Sequence, residues 1–164
     1  MQDLIVIKFG GSLITEKMSS TPKAKLEEIQ QIAETLRGTA KNIIIVHGAG
    51  SYGHPIAKRH SLSGGVSDDP KQKEAIDETR KQVHELNKLL CSKLKGVGIR
   101  TKTIIPSKTM KTKGPNKIED FPVDQFNSAL EEKKIPVTYG DVTDDLSKGV
   151  TILSGDVIMT ELAK

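Results

Sequence analysis

Three short β-rich runs in this chain each stop at glycine. Residues 4–9 end at Gly10-Gly11, residues 43–46 run into His47-Gly48, and a run reaching Leu153 meets Ser154-Gly155. Apolar runs cut off this sharply read as buried strands. Between them the period changes. Leu26, Ile29, Ile32, Ala33 and Leu36 recur at helical spacing, with Ser20-Thr21-Pro22 as a helix start and Gly38 as the stop. Residues 51–60 turn into a helix with Pro55 near its first turn. Ile76, Val83, Leu86, Leu89, Leu90 and Leu94 share one face of a long helix over residues 71–95, ended by Gly96 and Gly98. Further strands are predicted at 101–105 and 135–139, a hairpin within 141–153, and helices at 123–133 and 155–164. Ser154 or Asp156 lies near the start of the last helix. Residues 62–70 and 107–120 read as loops, the second carrying Lys108, Lys111, Lys113 and Lys117. Strands alternating with helices point to an α/β fold: a mainly parallel sheet with helices on both faces.

Composition narrows the classes. The 164 residues suit one domain, and with aromatics at 3% and no Trp the core is built from Ile, Val, Leu and Ala. The formal charge of +4 comes from Lys and Arg interleaved with Asp and Glu. Without basic tracts or stacking aromatics, nucleic-acid binding is not expected. The single Cys, Cys91, excludes a disulfide framework within one chain and a Cys metal cluster, and agrees with a reducing cytoplasm. The apolar run at the N-terminus is too short for a signal peptide, and no stretch approaches membrane-spanning length. A cytoplasmic protein without membrane contact is expected. The final helix has no terminal cap or tail after it, so a chain that continues into something larger is expected.

Three constellations carry the chemistry. In "IKFGGS", Ile7 to Ser12, a strand ends in two glycines whose backbone N–H groups face the side where open α/β sheets bind ligands. Glycine lets phosphate oxygens approach closely, and Lys8 adds a compact positive charge. A tight turn beside an exposed lysine fits the same residues about as well. In "IVHGAGSYGHPIAKRH", residues 45–60, Gly48 and Gly50 expose further N–H groups, and His54 falls in the first turn of the following helix, where it can donate to a bound anion. A surface or capping histidine is the other reading of His54. His47 reads as a satisfied, semi-buried residue, and His60 as part of a basic helix end. In "ILSGDVIMTELA", residues 152–163, Asp156 projects near the C-terminal edge of the sheet. It serves either as an N-cap or as a carboxylate that holds a lysine. Nucleophile-elbow, Walker and Gly-x-Gly-x-x-Gly patterns are absent, and no His or Cys pairing sets up a metal site.

Glycine-ended strands in this order resemble the amino acid kinase superfamily, with "KFGGS" and "HGAG" as the shared signatures. The chain is more specifically similar to the isopentenyl phosphate kinases, in "KFGGSLITEK", "VHGAGSYGHPIA" and "PVTYGDV…GVTILSGDVIMTELA". The matches run from Ile5 to Ala163. The Gly-Ser-aromatic-Gly-His ending in His54 discriminates: acetylglutamate and uridylate kinases lack that histidine, whereas fosfomycin kinases share it. The resemblance implies phosphoryl transfer from ATP to isopentenyl phosphate, with Mg²⁺ bound mainly through the nucleotide phosphates, in a cytoplasmic homodimer. By motif, Lys8 would contact the transferred group, and Gly10, Gly11 and Lys17 the nucleotide phosphates. Ala49, Gly50, Ser51 and Gly53 would cradle the acceptor phosphate, and His54 would orient it. Gly155 would border the same site, and Asp156 would organise Lys8. Val83 and Leu86 are expected in the wall of a pocket for the isoprenyl tail. Members of that family are longer, so residues 1–164 are expected to form the N-terminal, acceptor-binding lobe without the C-terminal nucleotide-binding half. Such a lobe is expected to have weak or no kinase activity and to expose an apolar sheet edge or face. A related small-molecule kinase of the fosfomycin kinase type, or a non-catalytic binding module, are the competing expectations.

Overall fold

Alternate residues of the second apolar run enter two different cores. In the computed structural model, which describes residues 4–38 and 42–164, that run lies in a sheet with helices on both faces. The first half of the chain contributes β1 (Ile5–Phe9), α1 (Gly11–Ile14), α2 (Leu26–Leu36), β2 (Ile43–His47), α3 (His54–Arg59) and α4 (Pro70–Gly96). The second half adds β3 (Thr101–Thr103), α5 (Pro106–Thr109), β4 (Lys111–Thr112), β5 (Ile118–Asp120), α6 (Val123–Glu131), β6 (Ile135–Tyr139), β7 (Asp141–Asp145), β8 (Gly149–Leu153) and α7 (Gly155–Leu162). The main sheet has the order β1-β2-β6-β3, with every neighbouring pair parallel.

A central strand covered on both sides is apolar at every position, because successive side chains point to opposite faces. Ile43 and Ile45 of β2 pack with Ile29 and Ala33 of α2 and with Leu86, Leu90 and Leu94 of α4. Ile44 and Val46 face the other way, onto Phe126 of α6 and Ile158 of α7. The predicted mainly parallel sheet, layered on both faces, is the observed one. The long predicted helix is also present as α4. Asp69 caps it by accepting from the Lys71 N–H at 2.9 Å, and Pro70 follows at the first turn, where its missing N–H costs nothing. β1 lies at the sheet edge, where Leu4 and Ile5 are about half exposed, 47% and 46%.

Three local expectations are corrected. The first helix pattern starts at Leu26, not near Ser20-Thr21-Pro22. The segment before it is held extended: Thr15 bridges antiparallel to Ala24, the Glu16 N–H donates to the Lys23 carbonyl, and the Lys25 N–H to the Ile14 carbonyl. The second helix starts at His54, after a 3-10 turn over Gly50–Tyr52. Residues 107–120, read as a loop, contain part of α5 and the strands β4 and β5 of a second sheet ordered β5-β4-β7-β8. β4 joins it by parallel pairing of Lys111 with Asp144 and Thr112 with Asp145. The buried Asp145 carboxylate then accepts from the Thr112 hydroxyl, the Gly114 N–H, and the Ser147 N–H and hydroxyl. A strand of two residues has no period of its own, so this sheet depends on contacts distant in sequence.

Candidate functional site

The glycine-ended strands β1 and β2 run parallel and stop together, Phe9 beside His47. Their loops then touch backbone to backbone. A Cβ on Gly11 would lie 2.5 Å from the Gly50 nitrogen, and one on Gly48 would lie 2.7 Å from the Gly11 nitrogen. Gly50 also has φ +52°, in the left-handed region that favours glycine. The contact leaves no room for side chains, and it places both loops at the C-terminal ends of the parallel strands.

Beside this contact lies a cleft of about 170 Å³. Lys8, Gly11, Gly48, Ala49, Gly53 and His54 line it from the first two motifs, and Gly155 and Asp156 from the third. Three segments far apart in sequence therefore meet in one cavity. Lys8 Nζ lies 2.6 Å from Asp156 Oδ1. This decides between the two readings of Asp156. Ser154 caps α7, its hydroxyl accepting from the Val157 N–H at 3.3 Å, and the Asp156 carboxylate is left to pair with the lysine. The pair is partly solvated, with Lys8 30% and Asp156 76% exposed, so it adds little to stability.

His54 is exposed at the start of α3 and faces the cleft. That helix has only six residues, so its dipole is small. The remaining wall is apolar: Ala57, Val83, Val142, Ile152 and Leu153, with Thr79 among them. Val83 is placed as expected, whereas Leu86 is fully buried in the core beneath α4 and does not line the cleft. Lys17 is exposed and also lies outside the lining. Gly10 lies outside it, and Gly50 and Ser51 sit behind it in the loop contact, Ser51 buried with its N–H bonded to Thr15 Oγ1.

Of two buried polar residues at the cleft, Asp141 escaped the motif reading and His47 was expected nearer the surface. Asp141 lines the cleft but is nearly buried. Burial pushes its carboxyl pKa up, opposed by hydrogen bonds from Ser107 and Val142 and by the Arg80 charge. The Ser107 N–H donates to Oδ2 at 3.1 Å and the Val142 N–H to Oδ1 at 2.9 Å. Nothing in a Gly-Asp-Val triplet signals this burial. His47 is fully buried, deeper than the semi-buried position expected of it. Its ring stacks on Tyr139 with centroids 5.1 Å apart, Nδ1 lies 3.0 Å from the Gly48 carbonyl, and Nε2 lies 3.4 Å from Asn87 Oδ1. Burial lowers its pKa to about 4, against those two hydrogen bonds. The ring is therefore neutral at pH 7, and the shorter contact places its proton on Nδ1, donated to Gly48. His47 thus braces a cleft-lining glycine from below.

The chain is 29% identical over 166 residues to an isopentenyl phosphate kinase of Methanothermobacter thermautotrophicus, covering 98% of this chain and 62% of that protein. A solved isopentenyl phosphate kinase structure superposes with a TM-score of 0.92 at 29% identity, covering 98% of this chain and 68% of the other. A product complex of the T. acidophilum isopentenyl phosphate kinase superposes with a TM-score of 0.83 at 25% identity, over 98% of this chain and 65% of that one. The chain thus spans about three fifths of the length of the first of these relatives. The model of the amino acid kinase family matches residues 3–164, and the chain belongs to that family.

Proposed function

We propose that this chain forms the acceptor side of a kinase that transfers the γ-phosphoryl group of ATP to isopentenyl phosphate, giving isopentenyl diphosphate. One observation carries the reading: a single cleft joins Lys8, held by Asp156, and His54 to an apolar wall of Ala57, Val83, Val142 and Ile152. A phosphate head on a short aliphatic tail uses both halves. The similarity to isopentenyl phosphate kinases supports the same acceptor.

The chemistry asks little of a base. An acceptor phosphate oxygen, already anionic at neutral pH, attacks the γ-phosphorus. The bond from that phosphorus to the β,γ-bridging oxygen breaks, and ADP leaves with the electron pair. The obstacle is bringing two polyanions together, so positioning and positive charge must supply the catalysis. Lys8 neutralises charge on the moving group, and Asp156 keeps its ammonium aimed there. His54 and the amides of residues 49–53 hold the acceptor phosphate, with Gly155 at its border. Gly10, Gly11 and Lys17 face the donor's phosphates. Among the described residues no group of three or more His, Cys, Asp or Glu could hold a metal ion. In this reading Mg²⁺ would be held mainly through the phosphates of ATP, where it would offset their charge.

The reading makes residues 1–164 the acceptor-binding lobe and predicts weak turnover by them alone. It also places the protein in the cytoplasm as a homodimer, and light scattering tests the dimer. Among the described residues no helix is long and apolar enough to cross a membrane. The test of substrate is an acceptor panel by calorimetry. Methyl phosphate lacks four of the five tail carbons. At about 0.8 kcal/mol per buried carbon, isopentenyl phosphate should bind on the order of 100-fold more tightly. Equal or tighter binding of the tailless acceptor overturns the isoprenoid reading.

A further inference from the structure

We propose that Thr15 is a positioning residue whose hydroxyl latches the Gly10-Gly11 loop to the loop that carries His54. The parallel pairing of β1 and β2 fixes the two loops only as far as the Gly48 N–H, which donates to the Phe9 carbonyl. Beyond that point the second loop leaves the sheet and turns toward His54. There the Thr15 hydroxyl donates to the Gly11 carbonyl at 2.7 Å and accepts from the Ser51 N–H at 3.1 Å. One side-chain atom therefore bonds both loops at once.

The surroundings show that the latch is tight. Thr15 is fully buried. A Cβ on Gly50 would lie 2.0 Å from Thr15 Oγ1 and 2.9 Å from the Gly11 carbonyl oxygen. Ser51 extends the tie, its hydroxyl accepting from the Lys23 N–H at 3.2 Å and lying 3.3 Å from the Lys23 carbonyl, to which it donates. Thr15 itself does not line the cleft. Its effect on a ligand passes through the spacing between Lys8, at the end of β1, and His54, three residues past Ser51. A displacement of about 1 Å in such spacing is enough to lower phosphoryl transfer by two orders of magnitude.

The ligand-binding part of this inference rests on the acceptor reading above, and the loop geometry does not. Both are tested on Thr15→Val, Thr15→Ser and Thr112→Val. The last removes a buried hydroxyl that donates to Asp145 in the second sheet, away from the cleft. Amide hydrogen exchange of Ser51 reports the latch, and calorimetry with isopentenyl phosphate reports its consequence. Thr15→Val is expected to speed Ser51 exchange at least tenfold and to weaken binding at least tenfold. Thr15→Ser, which keeps the hydroxyl, is expected to stay within about threefold of wild type on both. Thr112→Val is expected to lower the melting temperature and move neither. Unchanged Ser51 exchange in Thr15→Val overturns the latch. So does an equal loss of affinity in Thr112→Val, which would make the effect one of stability. A tenfold loss in Thr15→Ser overturns it as well, by assigning the role to the methyl group, and this arm stands even where Thr15→Val does not fold. If wild type fails to bind isopentenyl phosphate, the acceptor reading falls, and Ser51 exchange alone decides the latch.

Discussion

Replacing His47 with Gln should flatten the acid sensitivity of this protein by a calculable amount. The folded ring has a pKa of about 4, and the ordinary value is 6.5. Between these values the unfolded chain binds a proton that the folded chain refuses, so acidification favours unfolding. Stability from this residue is fully present above pH 7, falls as the pH drops from 6.5 toward 4, and levels off below. At pH 5 an unfolded-state histidine is almost wholly protonated and the buried ring about one-tenth so. From pH 7.5 to 5 the loss attributable to His47 is about 2 kcal/mol, rising to about 3 kcal/mol once both states are protonated. Gln can still donate an N–H toward the Gly48 carbonyl but does not titrate. The variant should be less stable at pH 7.5 by about 1 kcal/mol, from the lost stacking on Tyr139. It should then lose about 2 kcal/mol less than wild type on going to pH 5. His84, whose pKa burial and the Lys88 and Lys108 charges also lower, is common to both proteins and cancels in the comparison. Urea unfolding at the two pH values measures the difference. Parallel pH dependence in the two proteins would refute the argument, because it would mean that the ring is not held neutral.

Asp145 shows the opposite protonation sense. Burial raises its pKa, but hydrogen bonds from Ser147, Thr112 and Gly114 outweigh this and hold it below the usual carboxylate range. Its contribution is present above the ordinary carboxylate pKa and is lost as the pH falls below it. Asp145→Ala should cost roughly 2–4 kcal/mol at pH 7, with the gap to wild type narrowing in acid, as thermal melts at pH 7 and 3 would show. Gly11→Ala should drive the two glycine loops apart, lowering stability by roughly 2–4 kcal/mol in chemical unfolding, because its Cβ meets the Gly50 backbone. On the proposed reading, Lys8→Met and Asp156→Asn should each change stability by under about 1 kcal/mol while lowering ATP-dependent transfer by about 100-fold or more, read as kcat at saturating acceptor.

How much of this was legible in the sequence depended on the range of the interaction. β1, β2, β6 and α4 follow from runs and periods that need no partner to be recognised, and the three glycine-ended segments pointed to residues that share one cleft. Lys8 and Asp156 are 148 positions apart, and their pairing was expected from the resemblance alone, because Asp156 follows β8, which runs antiparallel to β7 in the second sheet. Two-residue β4 and three-residue β5 left no period, and their pairing depends on Asp145, which looks locally like any turn aspartate. Leu86 shows the limit of a helical face: it shares a stripe with Val83, but only Val83 reaches the cleft. Asp141 went unread and His47 was placed too near the surface, because burial of a polar residue is decided by neighbours far away in the chain. Lys17, given a role only by the resemblance, lies outside the cleft lining.

The central claim is that His54 and the loop before it hold the phosphate of an isoprenyl monophosphate. Calorimetric titration of isopentenyl phosphate into wild type and His54→Ala tests it most directly. His54 is exposed, so the variant should melt within about 1 °C of wild type, consistent with a surface substitution. The account predicts saturable one-site binding by wild type and a loss of about tenfold or more in the variant, the weight of one charge-assisted hydrogen bond. Absent binding by wild type, or equal affinity in the two proteins, would contradict it.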